Sequence, residues 1–334
     1  MTAAGLALAV LLLAGCGGPA ALAAAGPQAG RIAGLWAVVF WIAVIVETAV
    51  VAFMLYAVAR SRRPGHDPAG ARPEAGREHR AVVAITVAVG LTAATVLGLL
   101  VASIGTDRAL ASLTRSAPLT VEVTGQQWWW DIEYDDPVPS QRVRTANELH
   151  LPVGEPVLLT LRSRDVIHSV WVPQLHGKQD LIPGRTTSLW IQADRPGTFT
   201  GQCAEFCGYQ HAHMRLLVVA ESRATFDAWR AQQRQPATEP TDPLGQRGRA
   251  VFLAGPCVLC HAIGGTRAGA RVGPDLTHLA GRATIAGGTL PNTPGHLAGW
   301  ILDPQRIKPG AHMPAMSLPA HDLQALLAYL AALR

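Results

Sequence analysis

Cys203-Ala204-Glu205-Phe206-Cys207-Gly208-Tyr209-Gln210-His211-Ala212-His213-Met214 places two thiols, an imidazole and a thioether within one turn-rich segment. Soft sulfur donors combined with imidazole select copper, and zinc would not favour the thioether. A mononuclear blue-copper site needs one cysteine, so the second thiolate has a further task, and bridging two copper ions is its natural use. His168, in Asp165-Val166-Ile167-His168-Ser169-Val170-Trp171, supplies a second imidazole from an earlier strand. A Cys203–Cys207 disulfide in an oxidising compartment is the plain alternative. His211, Met214 and His168 together argue against it.

Working outward, the apolar residues from Pro118 to about Ala220 tend to alternate, as at Leu119, Val121 and Val123 and again at Leu189 and Ile191. Turns are marked by Pro183-Gly184 and Pro196-Gly197. A period of two broken by frequent turns predicts a β-sandwich. Ala224 to Gln233 then reads as a short helix and Pro236 to Pro243 as a Pro/Thr-rich linker. Leu244 to Arg334 is rich in helical patches, ending in Leu323, Leu326, Leu327 and Leu330 at helical spacing. No internal repeat is visible.

This last region holds Cys257-Val258-Leu259-Cys260-His261, the C-x-x-C-H attachment signature of c-type haem. The two cysteines reach the two vinyl groups and the adjacent histidine ligates iron. A redox C-x-x-C pair or half a zinc site is the alternative, but neither calls for the immediate histidine. His278, His296 and His321 match no ligand pattern and read as surface or packing residues.

Only 15% of the 334 residues are charged, which is low for a soluble enzyme and points to membrane segments. Leu35 to Ala59 and Ala81 to Ile104 are apolar runs of about 25 residues each, long enough to span a bilayer. Arg60, Arg62, Arg63, Arg72, Arg77 and Arg80 crowd the loop between them. The positive-inside rule puts that loop in the cytoplasm and both termini outside. The formal net charge of +5 is thus a matter of topology and not of nucleic-acid binding. Leu6 to Ala14 has the shape of a secretory apolar run, and Leu13-Ala14-Gly15-Cys16 resembles a bacterial lipobox, making Cys16 the candidate lipidation site. No Lys or Arg precedes that run, so an uncleaved apolar tail is the alternative.

The chain resembles subunit II of the haem-copper cytochrome c oxidases. The resemblance rests on Cys203 to Met214, on His168 with its neighbours, on Gln127-Trp128-Trp129-Trp130 and on Lys178-Gln179-Asp180-Leu181-Ile182-Pro183-Gly184. The C-terminal part is similar to the cytochrome c half of fused oxidase subunits, through C-x-x-C-H, Gly273-Pro274-Asp275-Leu276 and Pro309-Gly310-Ala311-His312-Met313-Pro314. The resemblance implies a two-helix transmembrane hairpin, a cupredoxin-like β-sandwich and an all-α class I cytochrome c domain. The expected boundaries are a leader-like segment at 1–33, transmembrane helices at 34–105, the copper domain at 117–222, a short helix and linker at 223–243 and the cytochrome domain at 244–334.

For the site residues, the resemblance implies a dinuclear CuA centre bridged by Cys203 and Cys207. His168 and His211 would be terminal ligands, and Met214 and the Glu205 carbonyl weak ones. The Glu205 carboxylate would reach a magnesium or manganese ion shared with subunit I. Haem c would be held by Cys257 and Cys260, with His261 and Met313 as axial ligands and a raised potential suited to a donor. Trp128 matches the aromatic where electrons enter, a role reduced in a chain that carries its own haem. The second apolar run lacks the Glu-x-x-Trp-Thr pattern of many relatives. Glu78, just before it, is either the mouth of a proton path in subunit I or a solvated flanking charge, and Glu47, inside the first run, is expected to face subunit I.

The reading is therefore an electron-input subunit in a bacterial cell membrane, with both globular domains on the periplasmic or outer face. Electrons would pass from a soluble or membrane cytochrome c, or a bc-type complex, through haem c and CuA to subunit I, with subunit III as a further partner. Dioxygen would be reduced to water on subunit I, so this chain carries no catalytic residue of its own. A CuA-containing nitric oxide reductase subunit and a copper-delivery protein are the rivals. Metal caged by His211 and Met214, beside a covalent haem, argues against delivery.

Overall fold

The computed structural model describes residues 20–62, 75–112 and 119–334. Cys16 lies outside the described residues, as do Arg63 and Arg72 of the arginine-rich loop. The chain divides into two compact units, Gly30–Thr114 and the remainder.

In the first unit, α1 (Pro27–Ser61) and α2 (Ala75–Ser112) extend past both ends of the apolar runs. The extra turns are rich in Ala and Arg, which propagate a helix readily. At 1.5 Å per residue the 35 residues of α1 reach about 52 Å, well beyond a hydrocarbon core of about 30 Å. Both helices are long and apolar enough to cross a membrane, and the side chains of their most apolar stretches are not buried by protein. The hydroxyls of Thr48, Thr92 and Thr95 each donate to the carbonyl four residues back, so the spans carry no unpaired hydroxyl at those positions. Glu47 is exposed on α1, and Glu78 is exposed in the first turn of α2, where a carboxylate complements the helix dipole.

The second unit begins with ten strands: β1 (Leu119–Gln126), β2 (Trp129–Tyr134), β3 (Val143–Ala146), β4 (Glu148–Pro152), β5 (Val157–Ser163), β6 (His168–Trp171), β7 (Gln179–Leu181), β8 (Thr187–Ile191), β9 (Gly197–Cys203) and β10 (Arg215–Glu221). They form two five-stranded sheets, ordered β3-β2-β1-β5-β8 and β4-β10-β9-β6-β7. Within each sheet one pair is parallel, β1 with β5 and β4 with β10. Alternation fills the space between the sheets: Trp130, Ile132 and Tyr134 from β2 and Leu159 and Leu161 from β5 are fully buried, facing Leu149, Leu151 and Phe199. This is the cupredoxin-like sandwich that the sequence predicts.

Two short segments seal its faces. Residues 20–29, assigned from sequence to the leader-like segment, are held on the sandwich by Ala25 N–H donating to Gln174 O and Asp194 N–H donating to Ala25 O, both at 2.7 Å. After β10, Ser222 caps α3 (Arg223–Gln233) by accepting from Thr225 N–H. That helix lays Phe226 and Trp229 against Tyr134, and the Trp229 ring stacks on His150 at 4.0 Å.

The C-terminal region carries α4 (Pro243–Ala254), α5 (Pro294–Leu302), α6 (Pro304–Ile307) and α7 (Ala320–Ala332). Phe252 from α4 and Leu326, Tyr329 and Leu330 from α7 make its core. It is not wholly helical: β11 (Thr284–Ile285) pairs with β12 (Leu290–Pro291) as a short antiparallel ribbon. Its turn holds Ala286, Gly287 and Gly288 at φ of 55°, 68° and 77°, and the paired glycines make such a turn accessible. This ribbon touches the sandwich, with Arg215 N–H donating to Gly287 O at 2.9 Å.

Candidate metal centre

Pairing of β6 with β9 sets Val170 opposite Cys203, so His168, at the start of β6, is carried to the end of β9 where Cys203 lies. The loop from Cys203 to Met214 is closed by Cys203 N–H donating to Met214 O at 2.9 Å, and Ala204 N–H donating to Ser169 O at 3.0 Å ties it to β6. Gly125 on β1 faces the imidazole: a Cβ there would sit 2.8 Å from His168 Cδ2, so only glycine leaves the ring its place.

Within this frame the Cys203 and Cys207 sulfurs are 3.7 Å apart, too far for a disulfide bond of about 2.05 Å. They are also closer than twice a metal–sulfur bond of about 2.3 Å, so one ion can touch both. His168 Nδ1 lies 3.9 Å from Cys203 Sγ, His211 Nδ1 3.6 Å from Cys207 Sγ, and Met214 Sδ 4.0 Å from Cys207 Sγ. The Glu205 carbonyl oxygen is 3.2 Å from Cys203 Sγ. His168, Cys203, Cys207 and Met214 are buried, which favours tight metal holding. All six sequence-singled residues of this centre therefore converge on one place, and their donor set fits copper.

Electrostatics agree. The hydrogen bond between the two thiols, with help from His168, holds the Cys203 pKa down against the effect of burial, and the same bond together with burial pushes the Cys207 pKa up. The two thiols share a proton more readily than they lose both, and a cation between the sulfurs would favour loss of the second. At His168, burial lowers the pKa, but hydrogen bonds to Asp165 and Cys203 outweigh it and leave the pKa raised. Asp165 Oδ1 accepts from His168 Nε2 at 2.8 Å, turning Nδ1 toward the sulfurs, the familiar carboxylate–imidazole arrangement behind metal-bound histidines. Sequence reading quoted Asp165 without a role; its position three residues before His168 was the available signal.

The other half of the unit presents Cys257, Cys260 and His261 on one turn, closed by Cys260 N–H and His261 N–H both donating to Cys257 O. His261 Nδ1 donates to Pro274 O at 2.7 Å, which leaves Nε2 as the ligating nitrogen. Burial lowers the His261 pKa and keeps the ring neutral, as an iron ligand must be. Met313 and Met316 are both half-buried against the helical core. Two half-buried thiols and an oriented imidazole on one turn, with two thioethers later in the same domain, fit a covalently held haem.

Between the two halves stands Trp128. It is 6% exposed; its Nε1–H donates to Cys207 O at 2.9 Å, and its ring centroid lies 6.2 Å from that of His312. Trp128, in the turn before β2, and Trp130, within it, are buried, and Trp129 is half-buried. Glu205 points its carboxylate outward, 3.4 Å from Lys178 Nζ. His278 is a packing residue, its Nε2 within 3.2 Å of the Gln233 and Gln235 carbonyls, and His296 and His321 are exposed. Lys308, which no motif marked, is buried at the contact of the two halves.

Two family regions match. "Cytochrome C oxidase subunit II, periplasmic domain" covers residues 137–221 and "Cytochrome c" covers residues 245–334. Cytochrome c oxidase subunit 2 of Alkalihalophilus pseudofirmus is 42% identical over 64% of this chain and 61% of its own length. This chain thus spans about three fifths of that relative. Alternative cytochrome c oxidase subunit 2 of Bradyrhizobium diazoefficiens is 34% identical over 59% of this chain and 78% of its own length. Cytochrome c oxidase subunit 2 of Bacillus subtilis is 29% identical over 98% of this chain and 96% of its own length. The cysteine loop and the C-x-x-C-H segment each fall inside a matching region, and identity at these levels extends over most of a relative's length, so the chain belongs to the cytochrome c oxidase subunit II family.

Proposed function

We propose that this chain is the electron-input subunit of a haem-copper cytochrome c oxidase. It takes electrons from an external cytochrome c or bc-type complex and delivers them to subunit I, where dioxygen is reduced to water. The observation that carries this reading is the placement of Trp128 between the copper loop and the loop that bears Met313.

Copper at the sulfur cluster and haem at the C-x-x-C-H turn, when bound, each accept and release one electron at a time. Cys203, Cys207, His168 and His211 would hold the copper, with Met214 and the Glu205 carbonyl as weaker donors. Cys257, Cys260, His261 and Met313 would hold the haem. Trp128 joins the two sites through its bond to the Cys207 carbonyl and its contact with the Pro309–His312 turn. Because the chain's own C-terminal domain covers that tryptophan, an external donor delivers electrons to the haem side, and Trp128 serves the internal step.

Exposed Phe206 and Tyr209, 76% and 93% accessible, give the copper loop an apolar surface for subunit I, with subunit III completing the complex. Among the described residues the Glu205 carboxylate is held by the exposed Lys178 alone, and it would meet magnesium or manganese at that contact. Glu47 faces the same partner within the bilayer, Glu78 stands at a proton path and Cys16 carries a lipid. The setting is the bacterial cell membrane, with both globular domains on the outer face. Oxygen uptake by the purified complex, driven by reduced cytochrome c, tests the reading. Consumption of nitric oxide without oxygen uptake, or of neither, overturns it.

A further inference from the structure

Lys308 is a lysine 3% exposed with no carboxylate bonded to it among the described residues. Its ammonium donates to Trp128 O at 2.7 Å, His213 O at 2.7 Å and Ala286 O at 3.0 Å. Three N–H groups meet three carbonyls, so its donor capacity is filled. Burying a charge is costly unless every polar contact is made, and such a group is an improbable way merely to fill space. The positions of the acceptors give it meaning. Trp128 and His213 belong to the copper domain, and His213 precedes Met214. Ala286 belongs to the ribbon of the haem-motif domain, and Lys308 itself immediately precedes Pro309-Gly310, the turn leading to Met313.

The same contact is buttressed around the lysine. Gln210 Nε2 donates to Pro309 O at 2.8 Å. Arg215 N–H donates to Gly287 O, and Glu148 Oε1 accepts from the backbone N–H groups of Ala283 and Thr284. Gly287 forms a wall of the ammonium's cradle: a Cβ there would lie 2.7 Å from Lys308 Nζ and 2.8 Å from Trp128 O.

We propose that Lys308 is a positioning residue that latches the cytochrome c domain onto the copper domain and holds the Met313 loop against Trp128 for electron transfer within the chain. This rests on the functional reading above, which it deepens by naming what fixes the two redox sites in register.

The test uses the full-length chain in its purified complex. Lys308→Met keeps the length of the side chain and removes every donor; Lys308→Gln retains two. In Lys308→Met the Arg215 amide, which reports the interdomain bond to Gly287, should exchange with solvent about tenfold faster or more, the order expected when one buried charged hydrogen-bond donor is lost. Haem and copper absorption should persist at wild-type potentials, while transfer from photoreduced haem to copper slows by about the same factor, with Lys308→Gln between. Gly287→Ala attacks the cradle from its other wall with the lysine intact and should give the same pattern, so the proposal stays decidable if Lys308→Met fails to accumulate. Wild-type exchange at Arg215 and wild-type transfer in these variants would overturn the latch. Absence of the haem or copper bands in the wild-type complex would instead overturn the functional reading, and the exchange measurement would still decide the latch.

Discussion

Trp128 donates its indole N–H to the carbonyl oxygen of Cys207 at 2.9 Å, so the residue that meets the haem-motif loop is bonded directly to a backbone atom of the copper loop. Gln127 Nε2 donates to the same oxygen at 2.8 Å. Trp128→Phe should therefore leave the Cys207 carbonyl satisfied and cost only about 1 kcal/mol. Haem-to-copper transfer should nevertheless slow, with the copper spectrum retained. Flash photolysis of the variant complex checks this, and an unchanged transfer rate would remove Trp128 from the path.

The proposed copper ligands are distinct from Asp165, which orients one of them. Cys203→Ser should abolish the mixed-valence signal of a dinuclear centre and leave the haem in place, since Cys257, Cys260 and His261 lie in a separate core. Asp165→Asn keeps the size of the carboxylate that accepts from His168 Nε2 and removes its charge. Loss of such an orienting partner typically costs about 10–100-fold in metal affinity. Copper titration by electron paramagnetic resonance reads both variants. A single-copper spectrum in the unmodified protein would sink the dinuclear assignment.

Sequence resolved the chemistry better than the assembly. The residues from Cys203 to Met214 are contiguous, so one strand-to-strand loop brings most of the donors together, and their spacing survives in any reading of the chain. His168 was recoverable because it lies in the short segment Asp165–Trp171, whose residues resemble the family pattern. Lys308 was not, since its three partners are backbone carbonyls at Trp128, His213 and Ala286, and a carbonyl leaves no signature in residue identity. The ribbon at Thr284–Pro291 escaped for a related reason: two residues per strand give no period to detect. Residues 20–29 fall within the leader-like segment expected at 1–33, and their backbone bonds to Gln174 and Asp194 leave no mark in residue identity.

The sandwich should lose stability in mild acid through His150. Its ring is stacked on Trp229 at 4.0 Å and its Nδ1 is 3.0 Å from Glu221 Oε1. Burial lowers its pKa below the ordinary 6.5, and Glu221 opposes this only in part. Below about pH 6.5 the unfolded chain takes up a proton that the folded chain refuses. Stability should thus be unaffected by this group above that pH and fall as pH drops toward the depressed folded-state value. Melting of the complex followed by tryptophan fluorescence should show a shallower acid slope in His150→Gln than in the wild type. Equal slopes would show that His150 does not contribute.

For a haem held at the C-x-x-C-H turn, Met313 and Met316 are the two candidates for the iron ligand opposite His261, and the bonds within their loop favour Met313. Gln305 Nε2 donates to Ala311 O at 2.7 Å and to Met313 O at 3.1 Å, while its Oε1 accepts from Gly310 N–H at 2.8 Å. One side chain thus fixes the turn at three points ending on Met313, and Gly310, at φ of 84°, makes the reversal possible. Met316 lies beyond Pro314, outside these bonds, and its simplest role is that of a flexible apolar side chain. Met313→Ala should therefore lose the methionine-to-iron absorption and lower the haem potential, because a histidine–methionine pair holds it high. The copper centre should remain intact and transfer to it should change with the driving force. Met316→Ala should retain the absorption and lose only packing, on the order of 2 kcal/mol for a partly buried thioether. If the absorption survives in Met313→Ala and vanishes in Met316→Ala, the axial assignment passes to Met316, and the Gln305 bonds then serve the interdomain turn instead of the iron.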